Sequence, residues 1–307
     1  MVKQLLIGHL LAGSYGDVVM KKRTREAING GFLVMPIAIG CLIFYLIPFC
    51  MVFQYSMRSS AGKNSSFVGL EHYMELLNNE MFRLAYGNTF RFLGISIPLI
   101  LVISYAVALV LKSRAEQYKV LKSILLLPYT MPIVGTILMV EVLFADTGLL
   151  NEALYTMGLP VKDWLESSWA FAVVVLLYIW KNTGYNVILL LAGLMTIPKD
   201  QYAAANLDGA GSVQRFLYIT MPQMWYSVFF AFLFSLINAF KCFREIFLIG
   251  GKHPNTEIYM LQHFLNNSFE NLNYSKLSVA SILFFIPLIL ILGLAYGWVR
   301  RKEDYKG

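Results

Sequence analysis

Apolar and polar residues follow one another along this chain in long blocks, with none of the short alternation that marks half-buried strands or surface helices. Six apolar blocks stand out, running from Phe32 to Phe53, Thr89 to Leu111, Ile124 to Phe144, Trp169 to Leu194, Trp225 to Ile249 and Leu277 to Val299. Crossing a bilayer core about 30 Å thick takes about 20 apolar helical residues, because no water is present there to satisfy a broken backbone. The pattern predicts an all-α, polytopic membrane protein with six transmembrane helices. Several blocks carry Trp or Tyr near an end, as interfacial anchors do. The expected organisation is an N-terminal segment 1–31, a six-helix domain 32–299 that includes the polar loop 198–222, and a tail 300–307.

Charge then orients the spans. The chain is 58% hydrophobic and only 14% charged, with net charge +7. Its Lys and Arg residues lie between the apolar blocks and form no single stripe or recognition helix, which argues against nucleic acid. They cluster at Lys21, Lys22, Arg23 and Arg25, at Lys112, Arg114, Lys119 and Lys122, and at Arg300, Arg301, Lys302 and Lys306. The alternate connections are leaner, so the positive-inside rule puts both termini and the loop 198–222 in the cytoplasm. The stretch Leu5 to Ala12 is too short to span and lacks a small-residue cleavage site, so it does not read as a signal peptide. Met20, followed by Lys21, Lys22 and Arg23, is an expected alternative start.

Little in the chain suggests catalysis. Cys41, Cys50 and Cys242 lie in apolar stretches without metal-ligand spacing and read as small buried hydrophobes. His9, His72, His253 and His263 are scattered over the terminus and external loops and read as solvated surface. No GxxxxGK[ST] phosphate loop occurs, so nucleotide hydrolysis would fall to another chain.

The loop Pro198 to Pro222 is the most specific feature. It reads as a short helix from about Asp200 to Leu207, a break at Gly209 and Gly211, and a second amphipathic helix from about Ser212 to Thr220. Ala203, Ala204 and Ala205 give a smooth surface for close approach, Asp208 and Ser212 are candidate caps, and Phe216, Tyr218 and Ile219 supply bulk. The string resembles the EAA loop of binding-protein-dependent ABC importer permeases. Ala204, Ala205, Asp208, Gly209, Ala210, Phe216, Ile219 and Pro222 fall on that pattern, whereas Ala203 replaces its glutamate. Shorter strings, including Phe67 to Tyr73, Gly148 to Asn151, Asp163 to Leu165 and Ala192 to Leu194, resemble the carbohydrate-uptake, maltose-type branch.

The resemblance implies the six-helix type I importer permease architecture, with no catalytic residue and no cofactor in this chain. ATP and Mg would be bound by a dimer of partner ATPase subunits. The other implied partners are a second permease, an extracellular solute-binding protein, a carbohydrate substrate and membrane lipid. Ala203, Ala204, Ala205, Asp208, Gly209, Ala210, Arg215 and Phe216 are the candidate ATPase-coupling surface. Polar residues inside spans four and five are costly in lipid and are candidates for the substrate path: Tyr178, Lys181, Asn182, Tyr185, Asn186, Asn238 and Lys241. They either contact sugar hydroxyls or bond between helices, with Lys181 or Arg244 pairing to Glu245 or Glu141. Competing readings are the same machinery with a non-sugar solute such as glycerol phosphate, an amino acid or a peptide, and an ion-coupled secondary transporter. The second would call for intramembrane carboxylates beyond Glu141 and Glu245 and for an inverted repeat. A membrane enzyme finds no clustered nucleophile or base.

Overall fold

A computed structural model describes residues 31, 34–59, 65–112 and 119–304. The readings made for the first thirty residues, Met20 among them, lie outside the described residues. Among the described residues, six helices are long and apolar enough to cross a membrane. In chain order the elements are α1 (Val34–Ser56), α2 (Glu71–Leu77), α3 (Glu80–Lys112), α4 (Lys119–Thr130), α5 (Ile133–Phe144), α6 (Leu149–Thr156) and α7 (Ala170–Met195). Then follow α8 (Lys199–Leu207), α9 (Ser212–Arg215), α10 (Trp225–Lys241), α11 (Phe243–Gly250), α12 (Leu261–Glu270) and α13 (Tyr274–Asp304).

Two spans differ from the hydropathy reading. The second begins at Glu80, nine residues before the apolar block, where the Asn79 side chain accepts the Phe82 N–H at 2.9 Å as an N-cap does. At 33 residues α3 is about 50 Å long and projects well past a bilayer core. The third span is not one helix. It breaks at Met131 and Pro132, since a proline donates no N–H and forces the residue before it out of the helical region.

The core lies where α3, α7 and α10 pack. Phe92, Ile97, Ile100, Val174, Tyr178, Leu236 and Ile246 fill it. At the end that carries residues 198–222, Leu111, Leu190, Leu194 and Met224 form a second cluster. Gly184 on α7 makes the approach of α4 possible, because a Cβ there would overlap the carbonyl oxygen of Leu125. At the opposite end a cap around the start of α3 gathers Leu76, Phe82, Ala85, Tyr259, Leu261 and Phe264. Asn88 of α3 ties into it by donating to the carbonyls of Thr256 and Tyr259 at 2.6 and 3.0 Å. By contrast, none of the most apolar window of α1 is buried, and that helix packs along α13.

Two expectations need correction. Cys242 is buried, but Cys41 and Cys50 are exposed on the outside of α1. His263 is fully buried, not solvated. The Met260 N–H donates to its Nδ1 at 3.1 Å, and the rings of Phe243, Phe247 and Tyr259 surround it.

Candidate functional site: a protruding loop and a transmembrane face

The tip of the loop 198–222 is exposed, while Tyr202, Ile219 and Thr220 pack against the bundle. Pro198 ends α7 and opens α8, whose C-terminal turn closes at Gly209 with φ +76°, a backbone conformation that favours glycine. Asp208 is the C-cap of α8, its backbone N–H donating to the Ala204 carbonyl at 3.0 Å, and the second helix is capped differently from the sequence expectation. Its N-cap is Gly211, whose N–H donates to Gln214 Oε1 at 2.8 Å, while Ser212 Oγ accepts from Arg215 at 3.1 Å. From Phe216 to Thr220 the chain widens into a π turn before Met221–Gln223.

Ala203, Ala204, Asp208 and Gly209 are exposed, whereas Ala205, Ala210, Arg215 and Phe216 are half-buried. Leu207 and Tyr218 are 90% and 79% exposed, a large apolar offering outside any membrane span. The loop is braced from within. Arg215 donates to Asn206, and Gln223 donates to Gln201 at 2.5 Å. Tyr202, not singled out by the sequence, fixes it to the bundle. Its hydroxyl accepts from Lys112 Nζ at 2.8 Å and lies 2.9 Å from Thr220 Oγ1. The same ammonium sits 4.1 Å from the Tyr202 ring centroid, and Phe216 meets Tyr105 of α3 edge-on. The only signal for Tyr202 was an aromatic on the inner face of an otherwise small-residue helix.

The polar residues of spans four and five separate into three groups. Tyr178, Asn182, Asn186 and Asn238 are buried in the seam between α7 and α10. Tyr178 donates to the Ser235 carbonyl at 2.7 Å, Asn182 to the Tyr178 carbonyl at 2.8 Å, and Ser235 to Asn186 Oδ1 at 3.3 Å. Asn238 Nδ2 has no partner among the described residues. Lys181 pairs with Glu245, joining α7 to α11, so one of the pairings the sequence left open is made. Tyr185 is half-buried, stacked on Tyr129 with centroids 5.0 Å apart.

Lys241 alone of the seven candidates points outward, as part of a stripe. Along α10 and α11 the exposed residues are Tyr226, Phe230, Phe234, Ile237, Lys241, Arg244 and Leu248. Their spacing of three or four draws one face of a helix. Lys241 and Arg244 interrupt it about 14 and 9 Å short of its Gly250 end at 1.5 Å per residue. A Lys or Arg near the centre of a lipid-facing helix costs about 2.5–3.5 kcal/mol, so this face is better matched to a wet path or a partner than to hydrocarbon. Beside it opens a cavity of ≈ 570 Å³ lined by Ile237, Phe240, Lys241, Arg244, Gln262 and Asn266, among others. Among the described residues no group of three or more His, Cys, Asp or Glu side chains is placed to hold a metal ion.

The profile of the binding-protein-dependent transport system inner membrane component matches residues 100–305. The chain is 29% identical to the trehalose/maltose transport system permease protein MalF of Thermococcus litoralis, over 93% of this chain and 98% of that one. It is 27% identical to the arabinooligosaccharides transport system permease protein AraP of Bacillus subtilis, over 89% of this chain and 88% of that one. Among solved structures, a chain of a bacterial alginate ABC transporter in complex with an alginate pentasaccharide-bound periplasmic protein superposes with a TM-score of 0.76 at 22% identity. That match covers 90% of this chain and 96% of the other, and it shows the shared type I importer permease fold. With the profile covering two thirds of its length and the protruding loop in place, the chain belongs to the binding-protein-dependent transport system inner membrane component family, the membrane-spanning, non-catalytic subunits of ABC importers.

Proposed function

We propose that this chain forms half of the translocation path of an ATP-driven importer for a sugar or oligosaccharide. The path runs along the exposed face of α10 and α11, and the loop 198–222 docks on a separate ATPase subunit. The observation that carries the reading is the loop itself, exposed at its tip, braced internally and tied through Tyr202 to α3. Such a construction passes a push from a docked protein into the bundle instead of absorbing it. Nucleotide-driven closure of the ATPases would bias the bundle between inward-open and outward-open states. ATP and Mg belong to those subunits. Ala203, where relatives of the EAA pattern carry glutamate, leaves the contact to shape, to the exposed Leu207 and Tyr218, and to Arg215.

A second permease would complete the path against the aromatic and aliphatic stripe, and an external binding protein would deliver the sugar to the cap formed by α2 and α12. The names of MalF and AraP support a carbohydrate cargo. Both termini and the loop face the cytoplasm in this reading. Co-expression with the neighbouring genes tests it: an ATPase and a second permease should copurify, and sugar uptake into vesicles should require ATP. Uptake by this chain alone, without ATP, would overturn it.

A further inference from the structure

Glu245 answers Lys181, Glu257 answers Arg91, Glu270 answers Lys252 and Glu75 answers Lys276. Lys241 and Arg244 are left without an ion pair among the described residues, and both line the ≈ 570 Å³ cavity. The same cavity holds two kinds of group suited to a sugar. Phe240 and Phe243 offer ring faces for its C–H surface, and Gln262 and Asn266 offer amides for its hydroxyls. Gln262 Oε1 is buried with no hydrogen-bond partner among the described residues.

We propose that this cavity selects an acidic carbohydrate, a uronate-type sugar whose carboxylate is received by Lys241 and Arg244. This rests on the transport function proposed above and names the charge of its cargo. Two cations three residues apart stand about 4.5 Å apart along the helix axis, within reach of a single carboxylate. The guanidinium fork of Arg244 can grip that carboxylate by two parallel N–H···O bonds, while Lys241 supplies a point charge. Neutral sugars would enter the same cavity without engaging either cation, so the pair favours the acidic cargo. The buried Lys181–Glu245 pair beneath them is internally neutral and leaves the net positive charge of the cavity intact.

The test uses the complete transporter, with its ATPase, second permease and binding protein, in proteoliposomes. Uptake is measured for a panel of uronic di- to tetrasaccharides and for the same sugars with each carboxylate reduced to a hydroxymethyl group. The acidic members should be transported at least tenfold better than their reduced counterparts. Lys241→Gln and Arg244→Gln should each raise KM for the acidic sugar about tenfold, and Lys241→Arg should restore most of the loss. Transport of reduced sugars in preference to acidic ones overturns the inference while leaving the transport function standing. So does wild-type KM for an acidic sugar in the Lys241→Gln/Arg244→Gln double variant. If that double variant no longer copurifies with the second permease, the cations serve the subunit contact and the inference fails. If neither set is transported although the complex assembles and hydrolyses ATP, the carbohydrate function itself falls.

Discussion

At Gly184 the absence of a side chain is what allows α4 to lie against α7. Gly184→Ala would drive a methyl group into the Leu125 carbonyl, and since backbone cannot rotate away, a loss of at least about 2 kcal/mol is expected. Thermal unfolding of the detergent-purified protein checks this, and an unchanged midpoint would refute the close approach. The Lys181–Glu245 pair gives a second outcome at this scale. Glu245→Gln strands a buried ammonium and should destabilise by about 3–5 kcal/mol, whereas replacing both partners with methionine should recover most of that loss. His263 gives a third. Burial, the largest cause, with help from nearby His253, lowers its pKa from 6.5 to about 4. The folded imidazole therefore stays neutral while the unfolded one takes a proton. Its contribution is complete above pH 6.5 and is lost as pH falls from 6.5 towards 4, by on the order of 3 kcal/mol. A His263→Gln variant should flatten that part of the stability profile, and an identical acid slope in both proteins would contradict it.

At the scale of elements, the six spans were legible because hydrocarbon thickness fixes their length and composition, and the loop 198–222 because its alanines favour a helix that Gly209 and Gly211 then break. The break at Pro132 was readable in principle, yet the apolar block runs straight through it, and hydropathy does not register a missing N–H. The side on which polar residues fall was harder still. Tyr178, Asn182 and Asn186 share a helical face, but nothing in their spacing distinguishes a face that meets α10 from one that meets a cavity; only the packing of Ser235 against them shows it. His263 escaped for the converse reason, since a histidine in a polar connection carries no sign of three aromatic rings brought in from elsewhere. The element most exposed to test is α8. Tyr202→Phe keeps the ring and removes the hydroxyl that meets Lys112 and Thr220, a charged hydrogen bond worth about 1.5–3 kcal/mol. ATP-driven uptake should fall several-fold while the ATPase still copurifies; full uptake would mean that the loop is held by shape alone.

For the molecule as a whole, the contacts sort the chain into two ends. Lys112, Tyr202 and the Trp225–Trp298 ring pair belong to one, and Asn255, which donates to Glu166, belongs to the other. In a cysteine-free background, Ser212→Cys should react with a membrane-impermeant thiol reagent in inside-out vesicles only, and Tyr155→Cys in intact cells only. The reverse pattern would invert the orientation and remove the loop from any cytoplasmic motor. One helix joins the two ends: α3 starts among Phe82 and Ala85 in the cap and finishes at Lys112 beneath Tyr202. In the proposed importer, a protein landing outside and a protein pulling inside would hold opposite tips of the same pushrod, with Pro98 the proline inside its length where the two could fall out of step.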